Sequence, residues 1–239
     1  MKAYLPKNYL QTDLHLENKE RLYNFIKLLN DLKLDTEIGK DIPVHNNGLL
    51  ILTTRNPKIK LYNKEINRIY EFVNKGGSLF HLSNHSNLHI KDSNIGKVFG
   101  YEFQDYYIKS KVTIPTIDTS LPSIFSVKTK EDAQKIFKDS SKKFAIINGT
   151  SIIKNKNFET IAKYGPGAYD SKSEKNINNV ENTVFCICSR RNSFSGKIVA
   201  ISDSGLIGKP TSDELYPGPG LSEGNNKQLI KEIISWLIS

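Results

Sequence analysis

Two polar clusters in the chain carry the residue types that chemistry needs. The first is His81-Leu82-Ser83-Asn84-His85-Ser86, with His89 close behind. A histidine on the loop after a central strand can act as a base, donate a hydrogen bond to a ligand or hold a metal. It can equally cap the following helix or bond a loop carbonyl, and for His85 both options stay open. Ser83 and Ser86 flank the same turn, so a serine nucleophile served by His85 is one reading. Neither serine, however, stands in a Gly-x-Ser-x-Gly elbow. The second cluster is Asp203-Ser204, where a carboxylate after a strand can bind ligand or cap a helix. His81, His85 and His89 recur every four residues, but His81 belongs to an apolar strand-like run, so the three do not share one helix. His85 and His89 could still pair on a metal with Asp203. The carboxylate spacing of metal motifs is missing, so no metal and no cofactor is expected.

The elements that would position these residues follow from periodicity. Ala3–Leu5 is extended, and Asn18–Leu32 is a helix with Leu22, Phe25, Ile26, Leu29 and Leu32 on one side. The apolar run Gly48–Thr54 suits a strand buried on both faces of a parallel sheet. Asn63–Lys75 is an amphipathic helix that Gly76-Gly77 ends. Ser78–Ser83 is the next strand, completing a βαβ unit. Further on, Ile95–Phe99 reads as a short helix and Tyr101–Ile108 as extended. Ser110–Thr129 reads as irregular loops or β-excursions, Phe144–Ile147 and Phe158–Tyr164 as strands, and Gly165–Asn179 as a polar loop. Thr183–Ser189 and Lys197–Ser202 form a hairpin, placed at the sheet edge. Asn225–Ile238 closes the chain as a helix capped by Asn225 or Asn226. Just before it, Tyr216-Pro-Gly-Pro-Gly-Leu221 is a rigid turn whose tyrosine could cover a pocket on the Asp203 side. Gln228, in the first turn of that helix, could face the same crevice.

Composition excludes several classes. Over 239 residues, 38% are apolar, enough to bury a core, and the chain reads as one domain over residues 1–239. No apolar run approaches the roughly 20 residues of a membrane span, and the N-terminus lacks the apolar stretch of a signal peptide. The expected location is therefore cytoplasmic. Cys186 and Cys188 are the only cysteines. They share one face of a strand, poorly placed for a disulfide, and read as core packing in a reducing compartment. Lys and Arg exceed Asp and Glu by 34 to 25, a net charge of +9. The excess is scattered, as in Lys154-Asn155-Lys156-Asn157, and reads as a solvated basic surface. No nucleic-acid module accompanies it, so an anion- or nucleic-acid-binding module stands only as an alternative.

Specific residues also carry a resemblance. Gly76-Gly77-Ser-Leu-Phe-His-Leu-Ser-Asn-His85-Ser86-Asn87 resembles the "GG-(apolar strand)-D-H-[ST]" segment of uncharacterised glutamine-amidotransferase-like domains, with Asn84 where they often have Asp. Val98-Phe99-Gly100-Tyr101-Glu102-Phe103 resembles the stretch that follows in them. Gly196-Lys-Ile-Val-Ala-Ile-Ser-Asp203-Ser204 is similar to their later strand and loop. Asn226-Lys227-Gln228 with Trp236-Leu237 is similar to their final helix. The likeness covers residues 45–105 and 183–238.

The resemblance implies an α/β fold. Its expected form is a three-layer, doubly wound, mostly parallel sheet of flavodoxin-like or class I glutamine-amidotransferase-like type, with an antiparallel edge hairpin. Catalytic relatives place a cysteine nucleophile on the turn after the strand that corresponds to Ser78–Ser83. Here that turn holds Asn84, His85 and Ser86. The implied function is a ligand-binding or accessory protein without that nucleophile, serving a small molecule or a protein partner. Asn84, His85, Ser86, Asp203, Ser204, Tyr216 and Gln228 would touch the ligand. The alternative is a hydrolase or tailoring enzyme using His85 with Ser83, Ser86 or Asp203.

Overall fold

The apolar runs and helical stripes of the sequence assemble around one large sheet. The computed structural model describes residues 1–9, 19–44, 47–55, 58–84, 89–105, 108–110, 123–126, 143–145, 149–164, 168–170, 184–208, 220–221 and 226–239. In chain order these form β1 (Lys2–Leu5), a 3-10 turn (Lys7–Tyr9), α1 (Lys19–Asp31), β2 (Asp35–Ile38), β3 (Leu49–Leu52), α2 (Asn63–Asn74), β4 (Ser78–Leu82) and α3 (His89–Phe99). Short strands follow: β5 (Tyr101–Phe103), β6 (Ile108–Ser110), β7 (Ser123–Ser126), β8 (Lys143–Ala145), β9 (Ile152–Lys154), β10 (Phe158–Tyr164) and β11 (Ala168–Asp170). The chain returns to the main sheet with β12 (Val184–Ser189) and β13 (Ile198–Ile201). A second 3-10 turn (Ser204–Ile207) and α4 (Asn226–Ile238) complete it.

The strand order is β2-β1-β3-β4-β13-β12-β10-β7-β8, and the first five strands are mutually parallel. Counting β13 as the fifth, this is the 2-1-3-4-5 order of flavodoxin-like doubly wound sheets. Successive residues of the central strands serve opposite faces, as the strand period requires. Leu49, Ile51, Phe80, Leu82, Val199 and Ile201 face α1 and α4. Leu50, Leu52, Leu79, Ile198 and Ala200 face α2 and α3. Both faces are covered, so β3 and β13 are apolar at every position. Between α2 and β4 the chain reverses through Gly76 at φ +102°. There Gly76 N bonds Val73 O and Gly77 N bonds Phe72 O, a Schellman closure that needs glycine at the positive φ.

The larger elements lie where periodicity put them, and several departures are informative. The β12–β13 hairpin exists, but it sits inside the sheet, because β10, β7 and β8 extend the antiparallel half beyond it. The antiparallel margin is therefore wider than one hairpin. The helix expected at Ile95–Phe99 begins at His89, since its buried face includes His89, Asp92 and Ser93, which no hydrophobic pattern signals. Strand β2, Asp-Thr-Glu-Ile, is a polar edge strand that pairs, among the described strands, only with β1. Strand β9 falls between the segments read as strands, and β11 within the expected loop Gly165–Asn179, where it pairs with β6. Most of Ser110–Thr129 and part of Phe144–Ile147 lie outside the described residues. Among the described residues, no helix is long and apolar enough to cross a membrane.

Candidate functional site

Parallel strands deliver their following residues to one edge of the sheet, and three of them end in polar groups. The chain leaves β3 through Thr53-Thr54-Arg55, β4 through Ser83-Asn84, and β13 through Ser202-Asp203-Ser204. All are buried except Asn84, which is half-buried. Thr54 Oγ1 and Ser204 Oγ share a hydrogen bond of 2.9 Å, and Asn84 Nδ2 donates to Ser204 Oγ at 3.4 Å. Asp203 Oδ1 accepts the Gly205 N–H at 2.7 Å, so one oxygen of this carboxylate caps the Ser204–Ile207 turn. The structure thus brings Ser83, Asn84, Asp203 and Ser204 to the ends of adjacent strands, in the register set by the β4–β13 pairing.

Beneath them lies a second polar layer centred on Asp92 of α3, which is fully buried. Ser83 Oγ donates to Asp92 Oδ2 at 2.9 Å, and the Arg55 N–H donates to Asp92 Oδ1 at 3.2 Å. His81 points from β4 to the same side, with Nε2 3.9 Å from Asp92 Oδ1 and Nδ1 2.7 Å from the Tyr101 hydroxyl. The rings of Tyr101 and Phe103 wall the imidazole, Phe103 edge-on at 5.1 Å. Burial pushes the Asp92 carboxyl above its ordinary value, opposed by His81, Ser83 and the Arg55 N–H. Burial likewise holds the Tyr101 phenol neutral, well above its ordinary range.

Arg55 is the third component, with no side-chain exposure at all. Its Nη1 lies 2.8 Å from Glu65 Oε1, and Nη2 donates to Glu65 Oε2 at 3.0 Å and to the Lys60 carbonyl at 2.9 Å. The guanidinium stands 5.1 Å from the Tyr9 ring centroid, and the Tyr9 hydroxyl donates to Glu65 Oε1 at 2.7 Å. Thr53 Oγ1 bonds the Tyr9 carbonyl. The charge is thus paired with a carboxylate and faced by a carbonyl and a ring, while Arg55 Nε has no hydrogen-bond partner among the described residues.

His85, Ser86 and Tyr216 lie outside the described residues, as does Asn225. His89 begins α3, nearly buried, with Nδ1 3.8 Å from Asp105 Oδ1. Gln228 lies on the exposed side of α4, where Nε2 donates to Glu232 Oε1 at 2.6 Å. It borders a groove formed with Arg190, Lys231 and Trp236 that shares no residue with the Asp203 cluster. Asn226 Nδ2 donates to the Gly220 carbonyl at 2.8 Å, tying α4 to the segment before it. Cys186 and Cys188 are fully buried and packed toward α4, with burial raising the Cys186 thiol well above its ordinary value. Among the described residues, no three His, Cys, Asp or Glu side chains come together as a metal would need.

The arrangement restricts the chemistry available. In a Ser-His-Asp triad the imidazole stands between hydroxyl and carboxylate and takes the serine proton. Here the carboxylate stands between, and the Ser83 hydroxyl points its proton at Asp92. Arg55, Asp92, Tyr9 and Glu65 escaped the sequence reading. Arg55 had one signal, a cation three residues past a fully apolar strand. Asp92 had another, its place at i+3 from His89 and i−4 from Gly96 on the packed side of α3.

No protein-family model matches the chain, and no curated protein matches it in sequence. Solved structures do. The mmIFT52 N-terminal domain superposes with a TM-score of 0.75 at 10% identity, over 100% of this chain and 98% of that one. A ThuA-like protein from Bacteroides uniformis gives 0.58 at 16% identity, over 100% and 91%. The cytoplasmic protein STM1381 from Salmonella typhimurium LT2 gives 0.59 at 9% identity, over 92% and 88%. Likeness at this level of identity speaks for architecture alone: a three-layer, doubly wound, mostly parallel sheet of flavodoxin-like and glutamine-amidotransferase-like topology, with antiparallel strands at one margin.

Proposed function

We propose that this chain is a ligand-binding or accessory domain on a glutamine-amidotransferase-like scaffold and that it does not turn over an amide or ester. One observation carries the reading: the described polar groups at the carboxyl ends of β3, β4 and β13 are bonded within the protein. Ser83 is bonded to Asp92, Ser204 to Thr54 and Asn84, Asp203 to its own turn, and Arg55 to Glu65. A nucleophile needs a base within hydrogen-bond reach and an open line to substrate. The two cysteines are buried in the core, so neither offers a thiolate at the strand ends. A shared fold adds nothing to this choice, since one scaffold hosts unrelated functions.

The test is an assay of the purified chain for glutamine deamidation and for hydrolysis of an activated ester, alongside His85→Ala and Ser83→Ala. The expected result is no turnover above the buffer rate in any of the three. Turnover by the unmodified chain that disappears in His85→Ala would overturn the reading and revive a remodelled hydrolase.

A further inference from the structure

Beyond the ends of β1 and β2 lies a cleft of ≈ 360 Å³ that shares no residue with the Thr54–Asn84–Ser204 cluster. Its walls are the 3-10 turn after β1, the segment after β2 and the first turns of α2. In the 2-1-3-4-5 order, α1 follows β1 onto one face while α2 follows β3 onto the other. The crevice between two such diverging connections is where open α/β sheets bind ligands. The cleft is also held in shape. Tyr9 from one wall donates to Glu65 of the other, Glu65 is clamped by buried Arg55, and Thr53 fixes the Tyr9 carbonyl. Walls tied together in this way are preorganised for an occupant.

The charges along the rim do not balance. Lys7 pairs with Asp41 at 3.4 Å, Lys40 with Glu37 at 3.4 Å, and Glu65 is taken by Arg55. Lys64 and Arg68 remain. Both are exposed, both line the cleft, and neither makes an ion pair with a described residue. They stand four residues apart on α2, a spacing at which like charges oppose helix stability. An anion between them would remove that opposition. The apolar part of the lining is buried Ile42 and Pro6, with the ring of Tyr62 standing 58% exposed at the mouth. Lys60 Nζ lies 5.2 Å from that ring and adds a third cation nearby.

We propose that this cleft binds a small organic anion, a phosphate or carboxylate carried on an apolar or ring-shaped body. The oxyanion sits between Lys64 and Arg68, and the body lies against Ile42 and the Tyr62 ring. The volume suits a small molecule rather than a polymer. This site goes beyond the reading above, because none of the strand-end groups whose catalytic silence is at issue lines it.

The experiment is an amide chemical-shift titration of the full chain at low salt with phenyl phosphate, benzoate and, as uncharged control, benzyl alcohol. Either anion should give saturable shifts confined to residues 7–9, 40–42 and 62–68, weakened by added salt, while the alcohol gives none. A preference for phenyl phosphate assigns a phosphate ligand, and a preference for benzoate a carboxylate. The double variant Lys64→Glu/Arg68→Glu should keep a dispersed spectrum, since both side chains are exposed, yet bind at least about tenfold more weakly. Lys64→Arg should bind as the unmodified chain does. No saturable shift with either anion overturns the proposal. So does binding that the folded double variant leaves unchanged, or shifts confined to the groove around Trp236.

Discussion

Asp92 has Ser83 Oγ on one oxygen, the Arg55 N–H on the other and His81 within 3.9 Å, with no path to water. Burial raises its pKa in the folded chain above the ordinary value of 3.8. Between the unfolded and the folded values, the native chain therefore holds a proton that the unfolded chain has released. By linkage the contribution of Asp92 to stability is greatest below the unfolded value and is lost as pH rises through the folded one. Replacing the carboxyl by an amide removes that titration while leaving an acceptor for the Arg55 N–H. Urea unfolding from about pH 4 to about pH 7 should show Asp92→Asn losing less stability than the unmodified chain as pH rises. Equal slopes would mean that Asp92 titrates like an exposed carboxylate, contrary to its enclosure. Residues of this kind mark the limit of the sequence. Ser83, Asn84, Asp203 and Ser204 were legible because each directly follows an apolar strand, and parallel strands bring such residues together. Asp92 was hidden because its partners, Ser83 and His81, belong to a different element, and helix periodicity marks only apolar faces.

The turn between β12 and β13 is an element-scale joint. Gly196 N donates to Val73 O at 2.9 Å, which lays the turn onto the α2–β4 reversal. A Cβ on Gly196 would overlap the Gly77 carbonyl oxygen and come within 2.9 Å of Val73 O. Both are backbone atoms of a closed reversal and cannot swing aside as a side chain could. Gly196→Ala should therefore destabilise the chain by about 3 kcal/mol, the upper part of the usual overpacking range. Its exposed neighbour in Ser195→Ala should stay within about 0.5 kcal/mol. Urea midpoints compare the two, and a similar small shift in both would show that the turn is not seated on α2. The same joint explains which elements could be read in advance. Helix α2, strand β4 and strand β10 each carry a strong pattern with clear stops, Gly76-Gly77 among them. The position of the β12–β13 hairpin carried no local signal, because it depends on β10 pairing outside β12 across nineteen residues of intervening chain.

At the scale of the whole molecule, the two core clusters lie on opposite faces of the same strands and cannot separate without exposing them. Leu49 and Leu50 are consecutive, yet one packs toward α1 and α4 and the other toward α2 and α3. Lifting either helical layer would bare a row of Leu, Ile and Val at roughly 25 cal/mol for each Å² exposed, while recovering little chain entropy from strands still paired. The two faces are thus expected to unfold together, as one cooperative unit spanning both halves of the sheet. The chain supplies its own reporter, because Trp236 is its single tryptophan and packs against the α1/α4 side. Phe72 belongs to the other face, 2% exposed, with its ring edge-on to Tyr4 at 6.3 Å. Phe72→Ala should cost about 3–5 kcal/mol. If the faces are coupled, that cost moves the Trp236 fluorescence transition and the far-UV ellipticity transition to the same lower urea concentration. An ellipticity midpoint that falls while the fluorescence midpoint stays in place would show that the α2/α3 face unfolds separately, and residues 1–239 would then hold more than one cooperative unit.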